Sequence, residues 1–140
     1  MAEIRPARAD DQQTIKRMVR AARLDPTSLD WRHFMIAEID GRVVGIGQIK
    51  ELPGCQELGS LVVLPAHRGQ GIAAQLIQAL ESRAGRPLYL MCHDRMEGYY
   101  ARFGYKAIGF WQAPWFLRLK LLPALPLRML GLRFLVMRKE

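Results

Sequence analysis

The chain has 140 residues, half of them hydrophobic and 24% charged, which excludes a disordered or collagen-like polypeptide and fits one ordinary domain over residues 1–140. Two cysteines exclude a disulfide framework, and no Cys/His cluster has zinc-site spacing, so no metal is expected. The net charge is +8, and all of it falls in residues 61–140, with 12 basic and 4 acidic residues against 9 and 9 in residues 1–60, so an anionic partner is expected to meet the second half.

The opening segment MAEIRPARADD carries Glu3, Asp10 and Asp11 and has no apolar core, unlike a secretory signal, so the expected setting is the reducing cytoplasm. Ile4–Ala7 reads as a short first strand. Asp10 or Asp11 is placed to cap a helix whose apolar residues Ile15, Met18, Val19 and Ala22 follow helical spacing. Asp25-Pro26 breaks that helix, and a brief helical stretch reaches Trp31, which is expected to pack between the helix and the meander after it. Two apolar runs, Phe34–Ile39 and Val43–Ile49, flank Asp40-Gly41, a tight-turn pair that predicts a hairpin. Pro53-Gly54 then leads into a third run, Leu58–Leu64. The order so far is strand, helix and antiparallel meander.

Beyond Pro65 the pattern changes. Gly69 and Gly71 precede a helix with Ile72, Ala73, Leu76, Ile77 and Leu80 on one stripe, closed by Gly85 and Pro87. Leu88–Cys92 reads as a buried strand, and a strand–helix–strand unit of this kind implies parallel pairing. Met96, Tyr99, Tyr100 and Phe103 give a second helix ending at Gly104. Tyr105–Trp111 and Leu132–Met137 read as the last strands. Between them, residues 112–131 form an apolar and basic insert with Trp115, Phe116 and many leucines. Pro123 and Pro126 preclude a long helix, and Arg118, Lys120 and Arg128 interrupt the apolar run, so no uncharged stretch nears the roughly 20 residues of a membrane span. A packed insert is the expectation; a membrane-surface segment over 113–131 or a homodimer contact stays as the alternative.

The chemistry concentrates in Glu57–Ile77, where a strand feeds a glycine loop that opens a helix. Unpaired N–H groups and the positive end of the helix dipole suit a pyrophosphate there. Gly69 and Gly71 allow close backbone approach, and Arg68 adds charge at the entrance. Gly69-x-Gly71-x-x-Ala74 also fits a dinucleotide fingerprint, but Pro65–Arg68 separate the glycines from the strand, a meander precedes it, and too little chain follows for a doubly wound sheet. No Gly-Lys-Ser/Thr follows, so a Walker loop is excluded.

These residues resemble the GNAT superfamily of acetyl-CoA-dependent N-acetyltransferases. The Arg/Gln-x-x-Gly-x-Gly/Ala signature is met by Arg68-Gly69-Gln70-Gly71-Ile72-Ala73. The preceding strand carries Glu57, Leu61, Val63 and Pro65 at the family's spacing, and Tyr100-Ala-Arg-Phe-Gly104-Tyr105 matches its aromatic helix end. The resemblance covers nearly the whole chain in order. It implies a mixed α/β fold, with a six- to seven-stranded sheet, splayed central parallel strands and about four helices.

The resemblance further implies acetyl-CoA as cosubstrate, with pantetheine on the backbone of Leu61, Val62 and Val63 and the pyrophosphate gripped by Arg68, Gly69, Gln70, Gly71, Ile72 and Ala73. Asp94 sits near a coenzyme-contacting position that is asparagine in many relatives. Glu57 falls where several members place a general base, with a strand-end surface carboxylate as the alternative, and Tyr100 matches the usual general acid. Protonated alkylamines must lose a proton before they attack a thioester, which is what such a base supplies. Tyr99 is expected to pack in the core, Cys92 to be a buried strand residue and not a nucleophile, and His67 and His93 to be surface or loop histidines. The acceptor is a primary amine that the sequence does not specify, contacted by residues 24–33, the meander turns and the insert. A catalytically idle acyl-CoA sensor is the alternative; a nucleic-acid or peripheral membrane binder is a further one, and no nucleic-acid motif supports the former.

Overall fold

Positive φ at Asp40 and Gly41, 49° and 78°, closes the first hairpin as that residue pair predicts. It joins β2 (Phe34–Ile39) to β3 (Arg42–Leu52) in the computed structural model, which describes residues 1–140. Seven strands and four α-helices make the chain mixed α/β, as expected. It divides into two units, Met1–Lys50 with Leu58–Ala84, and Glu51–Glu57 with Gly85–Glu140.

In the first unit, β1 (Glu3–Pro6) pairs antiparallel with β2, Ile4 opposite Ala37, and β2 pairs antiparallel with β3, Ile36 opposite Ile46. The Pro53-Gly54 turn returns the chain as β4 (Cys55–Val63), the next neighbour in the meander. Alternation along β3 gives its two faces different tasks. Ile46 joins Phe34, Ile36 and Val62 in a core closed by Ile15, Met18 and Val19 of α1 (Gln12–Ala21). On the opposite face a Cβ at Gly47 would lie 2.9 Å from Leu80 and 3.2 Å from Leu61. Glycine is therefore what lets α2 (Ile72–Glu81) lie this close to the strand. Trp31 packs against the α1 core from a short 3-10 turn, Trp31–His33.

The acidic pair before α1 behaves differently from the expected cap. A 3-10 turn, Ala9–Asp11, precedes the helix, and the Asp11 side chain makes no cap hydrogen bond to α1. Its carboxylate instead accepts from the Arg8 amide at 2.7 Å and from the Arg5 guanidinium at 2.8 Å. Arg5 also donates to Glu38 at 2.9 Å, so one partly buried guanidinium ties β1, the turn and β2 together.

In the second unit, β7 (Phe134–Lys139) lies between β5 (Leu88–His93) and β6 (Lys106–Ile108), antiparallel to both, with Met137 opposite Leu90 and Ala107. α3 (Glu97–Ala101) follows a 3-10 turn at Asp94–Met96 and is shorter than the aromatic spacing predicts. β6 covers only three residues of the expected Tyr105–Trp111 strand, because the Gln112 side chain accepts from the Gly109 amide at 2.8 Å and turns the chain. The insert forms α4 (Trp115–Leu121) and a 3-10 run, Leu122–Leu130, shaped by the two prolines. Ala113, Leu117 and Leu121 pack with Tyr89 and Val136, so one side of the insert builds the core of this unit.

Candidate active site

The glycine loop belongs to the first unit. After the 3-10 turn Pro65–His67, Gly69 and Gly71 take φ of 79° and 81°, a region where a side chain is strained. A Cβ at either position would meet nothing within 4 Å, so packing does not dictate the glycines; the backbone conformation and the open space beside it do. The first helical bond of α2 runs from the Gln75 amide to the Gly71 carbonyl. The amides of Ile72, Ala73 and Ala74 thus head the helix as its uncommitted donors, a cradle for a phosphate group. The Arg68 guanidinium donates to the Val63 carbonyl at 3.1 Å and is held at the loop entrance. These residues fit a coenzyme pyrophosphate in shape and charge.

Upstream in β4, Ser60 has a φ of 52°, strained for a residue other than glycine. Its hydroxyl accepts from Gln48 Nε2 at 2.9 Å, and both side chains are buried. Lys50, 4% exposed, pairs with Asp25 at 3.1 Å. Burial opposes ionisation of Asp25, but hydrogen bonds from Thr27 and the Lys50 ammonium bring its carboxyl down to about 2. Gln48, Lys50 and Ser60 were not anticipated. The signal was available in β3, where polar residues occupy the same alternating positions as Ile46. An open groove of about 680 Å³ in this unit is lined by Gln12, Lys16, Pro26 and Trp31 among others; it includes part of the expected acceptor-side segment but not the glycine loop.

The second unit holds the candidate acid and base. Glu57 is 5% exposed, so it is not a strand-end surface carboxylate. Its Oε1 accepts from Lys120 Nζ at 2.7 Å, a partner drawn from the insert that sequence reasoning did not identify. Tyr100 lies on α3, its ring edge-on to those of Tyr99 and Tyr105. Burial pushes its hydroxyl up to about 12, with Cys92 and Tyr99 adding to the effect. Tyr100 therefore keeps its proton at neutral pH, the state required of a general acid.

Cys92 is buried, its sulfur 3.7 Å from that of Met137, and burial pushes the thiol up to about 11. A neutral thiol is a poor nucleophile, which fits its reading as a strand residue. His93 is less exposed than a surface histidine: Nδ1 lies 2.8 Å from Asp94 and faces the Arg95 amide, while its ring stands edge-on to Phe134. Asp94 is thus tied to its neighbour.

The sequence matches the profile of the Acetyltransferase (GNAT) family over residues 3–105. No curated protein is matched by the chain. Among solved structures, the chain is similar to N-acetylglutamate synthase from Neisseria gonorrhoeae complexed with coenzyme A and N-acetyl-glutamate, with a TM-score of 0.79 at 19% identity. That alignment covers 99% of this chain and 35% of the synthase, so the chain spans about a third of that protein. It is also similar to Rv2747 from Mycobacterium tuberculosis in complex with CoA and NLQ, with a TM-score of 0.76, 20% identity and 98% of both chains covered. Escherichia coli ElaA aligns over 100% of both chains, with a TM-score of 0.67 and 16% identity. At these identities the likeness is one of fold, and the profile supplies the family. With the matched segment spanning more than half of the residues, the chain belongs to the GNAT acetyltransferase family.

Proposed function

We propose that the protein is an N-acetyltransferase that moves an acetyl group from acetyl-CoA to a primary amine by direct attack. The observation that carries this reading is the open, positive-φ glycine loop at the head of α2 in a chain of this family. The coenzyme supplies an activated thioester. Ile72, Ala73 and Ala74 amides with Arg68 hold its pyrophosphate, and the backbone of Leu61, Val62 and Val63 takes its pantetheine arm, with Asp94 as a further contact. The amine nitrogen attacks the thioester carbon, a C–N bond forms and the C–S bond breaks. Glu57 takes the amine proton, directly or through water, and Tyr100 returns a proton to the departing sulfur.

The acceptor is a small amine or a peptide. An amino acid is favoured among these, because the similar synthase is complexed with N-acetyl-glutamate. The cell compartment proposed is the cytoplasm, consistent with two free cysteines.

Two measurements test the reading. Acetyl-CoA should raise the melting temperature, and a coenzyme fragment lacking the phosphates should do so much less. Thiol release should then appear with at least one member of a panel of amino acids, amines and peptide N-termini. No thermal shift at saturating acetyl-CoA overturns the assignment; a shift without thiol release across the panel favours the sensor reading.

A further inference from the structure

α4 is apolar on both sides. Leu117 and Leu121 point into the core, whereas Trp115, Leu119 and Leu122, spaced along the other side, are 52%, 53% and 46% exposed. A helix with apolar side chains on two opposite sides is normally covered on both. The exposed apolar character extends to Trp111 before the helix and to Met129 and Leu130 after it, 81%, 92% and 75% exposed. No helix of the chain is long and apolar enough to cross a membrane.

Charge and polarity indicate what covers this face. Residues 98–139 contain eight Lys or Arg and no Asp or Glu. Between Trp115 and Leu132 the only polar side chains are the cations Arg118, Lys120 and Arg128. Arg128 and Arg133 are exposed, and the Arg118 guanidinium sits 5.6 Å from the Trp111 ring centre. A second copy docking through the same face would bring these cations against their own counterparts. A protein partner normally presents a rim of paired donors and acceptors, and apart from Gln112 and two indole N–H groups this face offers it only cations. Lipid requires only apolar side chains that enter the acyl boundary and cations that meet phosphate.

We propose that the Trp111–Phe134 face rests on the surface of an anionic lipid bilayer. Trp115, Leu119, Met129 and Leu130 enter the headgroup–acyl boundary, and Arg128 and Arg133 pair with lipid phosphates. Two weak signals, apolar insertion and basic charge, then act together to hold the protein at the surface.

The test is flotation of the full chain with vesicles of equal parts phosphatidylcholine and phosphatidylserine, beside vesicles of phosphatidylcholine alone. Binding to the first and not the second is expected, falling as salt rises through the range where surface charge is screened. The L119S/M129S/L130S variant should partition about tenfold less, with Arg128→Glu showing a similar loss. Circular dichroism and acetyl-CoA binding confirm that each variant is folded. Brominated acyl chains should quench tryptophan fluorescence in wild type and much less in the Trp111→Phe/Trp115→Phe double variant, which keeps only Trp31. Absence of binding to anionic vesicles at physiological salt overturns the proposal, as does undiminished binding by folded L119S/M129S/L130S. A concentration-dependent dimer that these substitutions dissociate, without vesicle binding, assigns the face to a second copy instead.

Discussion

Lys120 Nζ lies 2.7 Å from Glu57 Oε1, an ion pair across 63 positions of sequence that joins the insert to the candidate base. The Glu57 side chain is 6% exposed and that of Lys120 22%. Removing one partner therefore strands a charge with little water to solvate it. Lys120→Met should destabilise by about 3 kcal/mol, and Glu57→Gln with Lys120→Met together by less than the sum of the singles. Urea denaturation of the four proteins reads the coupling directly; strict additivity would show that the pair carries no net interaction.

Replacing the candidate base and acid separates chemistry from binding. Glu57→Gln should lower kcat about a hundredfold or more, while acetyl-CoA still raises the melting temperature. Tyr100→Phe should also lower kcat, with the larger loss for acceptors whose reaction is limited by thiolate departure. Equal activity in both variants would remove these residues from the mechanism.

Burial of Tyr100 sets its ionisation near 12, against about 10 in an unfolded chain. Below pH 10 the phenol is protonated in both states and contributes no pH dependence to stability. Between about 10 and 12 the unfolded chain ionises first, so stability contributed by this residue falls as pH rises. The difference in phenolate absorbance between wild type and Tyr100→Phe should accordingly show a midpoint near 12. A midpoint near 10 would mean that the hydroxyl is solvated.

Asp25 predicts the opposite end of the scale. Its folded carboxyl ionises near 2, so its contribution is intact above about 4 and is lost as pH falls toward 2. Lys50→Met removes one of the charges that hold it there, and should weaken the protein while flattening its acid limb over this window. Chemical denaturation at stepped pH checks both effects.

The meander, the glycine loop and the mixed α/β class were legible because each is written locally. Asp40-Gly41 needs positive φ, the loop glycines cluster before a striped helix, and Tyr100–Gly104 repeats a known spacing. Glu57 and Lys120 were not legible as a pair, since their meeting depends on how two prolines fold the insert. The Phe110-Trp111 segment misled for a physical reason: its apolar composition reads as strand, yet Trp111 is 81% exposed on a turn fixed by Gln112. Gln48 and Lys50 were visible as polar residues on an inward face, but only the folded strand shows that Ser60 and Asp25 are their partners.

The position of β7 between β5 and β6 bears on how the protein is made. During synthesis both flanking strands emerge from the ribosome before the strand that hydrogen-bonds to each of them. Until Phe134–Lys139 arrives, the second unit lacks two ladders and exposes the core side chains Leu90 and Leu117 to whatever else is nearby. The nascent chain is thus most dependent on protection before Phe134–Lys139 emerges, and a truncation ahead of that strand would leave two unpaired strand edges.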